Sequence, residues 1–285
     1  MSTDFIKSNY HVHTNFCDGL DTPRTMAEAA VKENITSLGI LCHSMWPFSS
    51  DWHIPVREHD AFLTEVKDLK KEFSSKMDLY AGFEADYIPG MCRPDFSYFK
   101  EGGLCPDYII GSVHYVQGNH GLFTVDGPEK EFTDGVKNYF AGDYKKAIRE
   151  YFYLERIMIE QNDFTFIGHP DLIRKLNGRI KFFDENDEWY KNELKELAKV
   201  ISSSGKCVEV NTGAIAKGYT DSPYPSRYFL ELLYEKNVPI TVSTDAHSKE
   251  HLGFWYEKAV QLIKETGYRE AVYLKDGKYA MQPVF

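Results

Sequence analysis

The sequence predicts an α/β barrel of seven parallel strands. Short apolar runs, of strand length, alternate with segments of helical period along the whole chain. These runs end at His13, His43, Glu84, His114, His169, Asn211 and Asp245/His247, which makes seven. A parallel barrel carries its functional residues at the C-terminal ends of its strands, and every one of these residues falls at such an end. At 285 residues the chain fits such a barrel as one domain spanning 1–285.

Taken in order, Tyr10-His11-Val12-His13-Thr14 sets the pattern. On an extended segment residues i and i+2 point to the same side, so both imidazoles can converge on one metal ion. Asp18-Gly19 turns the chain, and Thr22-Pro23 reads as the cap and first position of a helix over about 24–32. The run 36–42 is a buried strand presenting His43. The aromatic segment 44–53, broken by Pro47, reads as a loop over a site, with Trp46, Phe48 and Trp52 as packing or lid residues. Phe62, Leu63, Val66, Leu69 and Phe73 recur at helical spacing.

Strands over 77–83 and 108–113 lead into Glu84 and His114. From 115 to 142 no period is visible, and the stretch reads as an insertion or lid. A helix over about 143–160 follows, then a strand over 164–168 ending at His169. A helix over about 188–204 stops at Gly205, a residue suited to the left-handed position after a helix. The run 207–210 ends at Asn211, Pro225 opens a helix to about 236, and 238–243 ends at Asp245 and His247. The last helix is expected over about 249–266, and a hairpin turns at Asp276-Gly277.

Composition narrows the classes. A formal charge of −10 argues against a protein that grips nucleic acid, which needs a basic face. It leaves room for a small phosphate ester, because bound cations reverse the sign inside a pocket. Five cysteines with no Cys-x-x-Cys pair favour reduced thiols and a cytoplasmic setting. No apolar leader and no run of 18 apolar residues appears, so neither export nor membrane spanning is expected.

The ordered set His11-x-His13, His43, Glu84, His114, Gly168-His169-Pro170, Asn211-Thr212 and Asp245-Ala246-His247 resembles the PHP family, the polymerase and histidinol phosphatase superfamily. Gly111-Ser112-Val113-His114-Tyr115, Val125-Asp126, the segment from Gly168 to Lys175, and Tyr224-Pro225-Ser226 resemble its histidinol-phosphate phosphatase branch. The resemblance implies a distorted, TIM-like (β/α)7 barrel with two or three divalent metal ions. It places His11, His13, Glu84 and Asp245 on a first ion. Glu84, His114 and His169 fall on a second, and His43 and His247 on a third. Some relatives add a histidine from the loop after His13; Asp18 or Cys17 is the substitute here.

Imidazole and carboxylate ligands suit zinc, manganese or iron. Paired ions can hold a hydroxide between them at neutral pH, and the reaction implied is its attack on a phosphate monoester. The substrate implied is L-histidinol phosphate, an intermediate of histidine biosynthesis. Arg174 is the candidate phosphate clamp, since a guanidinium fits phosphate bidentately. Asn211 and Lys217 are further candidates for the phosphate, and Asp245 and His247 for the chemistry. In the phosphatase branch Arg-Lys usually follows Asn-Thr; here the pair is Ala216-Lys217, so Arg227 or Arg93 is left to compensate.

Cys42 is expected to face away from the ions. His53, His59, His120 and His251 are expected to be exposed or to make structural hydrogen bonds, with His53, in the aromatic loop after His43, the candidate exception. An alternative is a PHP-type exonuclease or another nucleotide phosphoesterase, which would show an open basic groove. A metal-stabilised module without catalysis would show gaps among the ligands.

Overall fold

The structure is a computed structural model that describes residues 6–44, 50–101, 104–119 and 121–284. The expectations for Trp46, Pro47, Phe48 and His120 lie outside the described residues.

The chain runs β1 (Ser8–Asn9), α1 (Pro23–Lys32), β2 (Ser37–His43), α2 (His59–Glu72), β3 (Asp78–Asp86) and β4 (Tyr108–Ser112). It continues through β5 (Tyr115–Gly118), β6 (Gly121–Thr124), α3 (Glu129–Phe140), α4 (Tyr144–Gln161), β7 (Phe166–Ile167), α5 (Asn177–Ile180) and α6 (Glu188–Ser204). Then come β8 (Cys207–Asn211), α7 (Gly213–Ala216), α8 (Arg227–Glu235), β9 (Ile240–Ser243), α9 (Tyr256–Thr266), β10 (Glu270–Lys275) and β11 (Lys278–Pro283).

Seven of these strands form one sheet in the order β1-β2-β3-β4-β7-β8-β9, parallel throughout. Its ends meet beyond β1 and β9, where His13 N–H donates to the Ala246 carbonyl at 2.8 Å and Ala246 N–H to the His11 carbonyl at 3.1 Å. The result is a nearly closed, distorted (β/α)7 barrel. The closing hydrogen bonds involve the His-x-His segment and the Asp245-Ala246-His247 segment, so barrel closure itself brings the two histidine motifs together.

The barrel interior is narrow at its lower end. Tyr10 stacks on Phe166 at 5.3 Å, and Tyr108 meets both edge-on at 6.1 and 6.0 Å. Gly39 and Gly82 face this column, and a Cβ on either would lie within 2.4 Å of the buried Tyr108 ring or its hydroxyl. The β10-β11 hairpin completes this core with Val272 and Leu274, and Tyr80 Oη donates to the Leu274 carbonyl. Helix α1 begins where the sequence places it, with Thr22 Oγ1 accepting the Thr25 N–H and Pro23 in the first turn.

Several elements differ from the sequence reading. The strand expected to carry His11 and His13 lies earlier, at Ser8–Asn9, and Val12 makes only an isolated bridge to Ala246. The stretch 115–142 holds an antiparallel hairpin, β5-β6, and helix α3. The helix expected over 249–266 is divided into a 3₁₀ turn at Lys249–His251 and α9, with Trp255 at φ 60° between them. The reason lies in the carbonyls. That of Leu252 is taken by Asn9 Nδ2 and Thr244 Oγ1, and that of Phe254 by Thr212 Oγ1, so neither continues a helical ladder. No helix among the described residues is long and apolar enough to cross a membrane.

Candidate metal centre

At the upper end of the barrel the strand-terminal side chains converge. Period-two alternation along β3 turns Tyr80, Gly82, Glu84 and Asp86 inward; the same rule on β8 turns in Cys207, Glu209 and Asn211. Glu84 sits at the middle of the cluster. Its Oε2 lies 3.0 Å from His11 Nε2, 3.0 Å from His43 Nδ1 and 3.4 Å from His13 Nε2. Its Oε1 lies 2.9 Å from His169 Nε2 and 3.3 Å from His114 Nε2, and accepts a hydrogen bond from Ser112 Oγ at 2.8 Å. Asp245 Oδ1 is 3.4 Å from His13 Nε2 and 3.7 Å from His11 Nε2. Asp18 completes the outer side, 3.1 Å from His247 Nε2, 3.6 Å from His13 Nδ1 and 3.8 Å from His43 Nε2.

The donor chemistry fits metal ions. His13 Nε2, His43 Nδ1 and Asp18 Oδ1 are buried without a hydrogen-bond partner. His43 Nδ1 is nonetheless 3.0 Å from a Glu84 oxygen. Such an approach without hydrogen-bond geometry is what a shared cation satisfies. Among the described residues, ligand atoms fall into four groups able to hold an ion: His13 with Asp18, His43 and His247; His11 with Glu84 and His169; His11 with His13 and Asp245; and His43 with Glu84 and His114.

The imidazoles of the cluster feel opposite pulls: burial lowers His43 to about 4, while carboxylates raise His11 and His114. Burial alone would lower the His11 pKa, but Glu209, Glu84 and Asp245 outweigh it and raise it to about 10. Burial works the same way on His114 and is again overcome, here by Asp86 and Glu84. Burial would raise Glu84 and Asp245, yet the surrounding imidazoles, with Lys217 beside Asp245, hold both well below the usual carboxylate range.

Two backbone features let Asp245 reach in. It adopts φ 49°, a left-handed position that Asp tolerates better than most residues. Gly213 leaves room for it, since a Cβ there would lie 2.7 Å from Asp245 Cβ.

Residues 9–213 match the PHP domain. The chain belongs to the PHP family. It is therefore a PHP-family hydrolase with a phosphoesterase fold and a multinuclear arrangement of metal-binding groups.

Among PHP proteins, a Deinococcus radiodurans protein named as a probable histidinol-phosphatase is 27% identical over 266 residues, covering 92% of this chain and 95% of the relative. The Bacillus subtilis histidinol-phosphatase is 24% identical over 265 residues, covering 88% and 97%. The fold matches a crystal structure of Lactococcus lactis histidinol phosphate phosphatase complexed with zinc, L-histidinol and phosphate. That match has a TM-score of 0.69 at 22% identity and covers 96% of this chain and 99% of the other.

The PHP cluster floors a cavity of about 310 Å³ whose walls include Trp52, Asp126, Lys175, Lys217 and Tyr224. Asp18, His43, Glu84, His114, His169, Asp245 and His247 reach this cavity, while His11 and His13 lie beneath it, fully buried. Lys217 Nζ is 3.4 Å from His247 Nε2.

Arg174 is not at the cavity. Its guanidinium turns inward, donating to Glu185 Oε2 at 2.8 Å, Ser222 Oγ at 3.1 Å and the Pro223 carbonyl at 3.3 Å, with Asp171 at 3.6 Å. The next residue takes the outward position: Lys175 lines the cavity, with its Nζ 3.0 Å from Asp126 Oδ2. Asn211 is not among the residues lining the cavity either. It is fully buried and donates to Glu209 and Asp245, which makes it a strut for those carboxylates. Arg227 pairs with Glu231 and Glu265 on the surface, and Arg93 lines a separate surface hollow.

Two carboxylates escaped the sequence reading. Glu209 accepts from His11 Nδ1 at 2.9 Å, the His169 N–H at 2.9 Å, Asn211 Nδ2 at 2.8 Å and Ser243 Oγ at 2.5 Å. That orients His11 with Nε2 toward the cluster. Asp86 does the same for His114. Their signal was present: each is a charge inside an apolar strand, two residues from a site residue and so on the same face. The thiols of Cys17 and Cys42 lie beside the cluster, Cys17 Sγ 3.6 Å from His13 Nδ1 and Cys42 Sγ 3.3 Å from Thr14 Oγ1.

Proposed function

We propose that the protein is a metal-dependent phosphomonoesterase that converts L-histidinol phosphate to L-histidinol and phosphate. The observation that carries this reading is the shared floor and wall. Buried imidazoles and carboxylates with unsatisfied ligand atoms lie under a cavity whose rim adds Lys175 and Lys217. Relatives of similar length named histidinol-phosphatase support the substrate.

In this reading His11, His13, Glu84 and Asp245 would hold one ion. Glu84, His114 and His169 would hold a second, and Asp18, His43 and His247 a third. Zinc, manganese or iron bound there would supply Lewis acidity and a water that ionises near neutral pH. Everything else is done by the chain. Lys217 and Lys175 meet phosphate oxygens as point charges, taking the role that the sequence suggests for Arg174. The imidazoles and Lys217 hold the Asp245 carboxyl well below the usual carboxylate range, which suits it to bind a cation. Asp245 and His247 stand at the floor, where the scissile bond meets the cluster. Trp52 and Tyr224 offer aromatic surface to the imidazole of the substrate.

The test is a panel of phosphate monoesters and single-stranded DNA, assayed side by side with metal analysis. Phosphate release from L-histidinol phosphate should dominate, disappear with a chelator and return with added Mn²⁺ or Zn²⁺. The variant His114→Ala should be inactive. Preferential degradation of DNA, or full turnover in metal-stripped protein, overturns the reading.

A further inference from the structure

A line of hydrogen bonds runs from the cavity wall to the metal cluster. Ser50 Oγ lies 2.5 Å from His53 Nδ1, and it accepts the backbone N–H groups of His53 at 3.2 Å and Trp52 at 3.4 Å. His53 Nε2 lies 2.6 Å from Asp86 Oδ2, and Asp86 Oδ1 lies 2.5 Å from His114 Nδ1. His53, Asp86 and His114 are all buried.

The direction of this line follows from which groups can donate. A carboxylate only accepts, so both ring nitrogens facing Asp86 carry hydrogen. Ser50 Oγ already accepts two backbone N–H groups, which leaves its own proton for His53 Nδ1. Ser50 therefore donates to His53, and His53 and His114 both donate to Asp86. His114 is left with Nε2 turned to the cluster, 3.3 Å from Glu84 Oε1.

The same short segment forms part of the cavity wall. The Trp52 ring lies 3.7 Å from that of His53, stacks on Tyr115 at 5.7 Å and meets His43 edge-on at 4.7 Å. Ile54 N–H donates to the His43 carbonyl at 2.9 Å. One carboxylate, Asp86, thus ties a wall of the cavity to a residue of the cluster.

We propose that His53 is a positioning residue: through Asp86 it holds His114 in the orientation that binds an ion, and by the same contact it latches the Trp52 wall to the metal centre. Seating of residues 50–54 and retention of the ion on His114 are then one equilibrium. This rests on the metal-centre reading, but not on the identity of the substrate.

A packing role and a positioning role make different demands at His53. Packing needs only volume; positioning needs an N–H aimed at Asp86. The variants His53→Gln and His53→Met have similar volume and differ in that donor. Zinc and manganese affinities of the full chain, measured by chelator competition with no substrate present, separate the two. His53→Met is expected to weaken one ion several-fold, less than the roughly tenfold or more usual for a group bonded directly to a metal ligand as Asp86 is, and His53→Gln to recover most of it. Tryptophan emission should respond to metal in the parent and in His53→Gln. It should respond weakly in His53→Met, with Trp52→Phe assigning the signal.

Asp86→Asn, which keeps the volume but loses one acceptor, should lose the same ion and serves if His53→Met does not fold. Parent-like affinity in His53→Met, or equal loss in His53→Met and His53→Gln, overturns the proposal. Because the readout is metal binding alone, a failure to hydrolyse L-histidinol phosphate would leave this result standing.

Discussion

Arg174 and Lys175 are sequence neighbours that the backbone sends in opposite directions, and their substitutions should fail differently. Arg174 faces Asp171, which is fully buried and whose carboxyl burial pushes above its ordinary value against the pull of that guanidinium. Arg174→Met strands this charge and should cost about 3 kcal/mol of stability, read as a lower melting temperature. Lys175→Met should cost less stability, because its partner Asp126 borders the cavity and keeps some solvent, and should raise KM for the phosphate ester about tenfold, the scale of one charge-assisted hydrogen bond. Steady-state kinetics beside thermal melts separate the two. Glu155 gives a third case. It is fully buried on α4, accepts from Tyr151 Oη at 2.9 Å, and burial raises it well above its ordinary 4.5. The folded form keeps this proton while the unfolded chain loses it above pH 4.5, so Glu155 costs stability as pH rises. Glu155→Gln should therefore raise the melting temperature at pH 8 more than at pH 5.

At the scale of elements, the barrel depends on glycines where strands crowd one ring. A methyl at position 82 would lie 2.3 Å from Tyr108 Cζ, and the ring cannot retreat because Tyr10 and Phe166 enclose it. Gly82→Ala should cost about 2 kcal/mol, the usual toll of overpacking, measured by chemical denaturation. The same crowding explains what could be read in advance. The strands β2, β3, β4, β7, β8 and β9 were legible because each buried run is short, apolar and ended by a polar residue. In contrast, β1 is the polar pair Ser8–Asn9, just before the His-x-His segment. The hairpin β10-β11 was legible because Asp276-Gly277 marks its turn. Helix α3 was hidden by its own glycine. Gly135 lowers helix propensity in the sequence, yet in the fold a Cβ there would lie 2.2 Å from Phe123, so packing on β6 demands it. The break at Trp255 was equally hidden, since Asn9 and Thr212, both distant in sequence, join the nearby Thr244 in claiming the carbonyls. Of the site, the strand-end histidines and acids were legible. The direction of Arg174 was not, because helical and 3₁₀ turns send adjacent residues to different faces.

For the whole molecule, metal binding, proton binding and folding share one set of side chains. In the metal-free protein His11 is raised to about 10 and His114 is raised well above 6.5, both by carboxylates that overcome burial. A histidine whose folded pKa is raised stabilises the fold below its unfolded value of 6.5, and that contribution is lost as pH climbs through the folded value. The metal-free form should therefore lose stability from these groups between pH 6.5 and about 10. Glu84 and Asp245, both lowered, act at the other end; they stabilise above their unfolded values of 4.5 and 3.8 and cease to do so as acid protonates them. An ion needs neutral imidazoles, so near pH 7 it must displace protons from the cluster. It does so with less competition as pH rises, and a ligand present at 100 times its dissociation constant adds about 2.7 kcal/mol. The gain in melting temperature on adding Mn²⁺ or Zn²⁺ should consequently widen from pH 6.5 to pH 8.5. Calorimetric titration in two buffers of different ionisation enthalpy should show protons released as each ion binds. A stabilisation that stayed flat or shrank over that range would mean that the ions bind elsewhere than among these imidazoles.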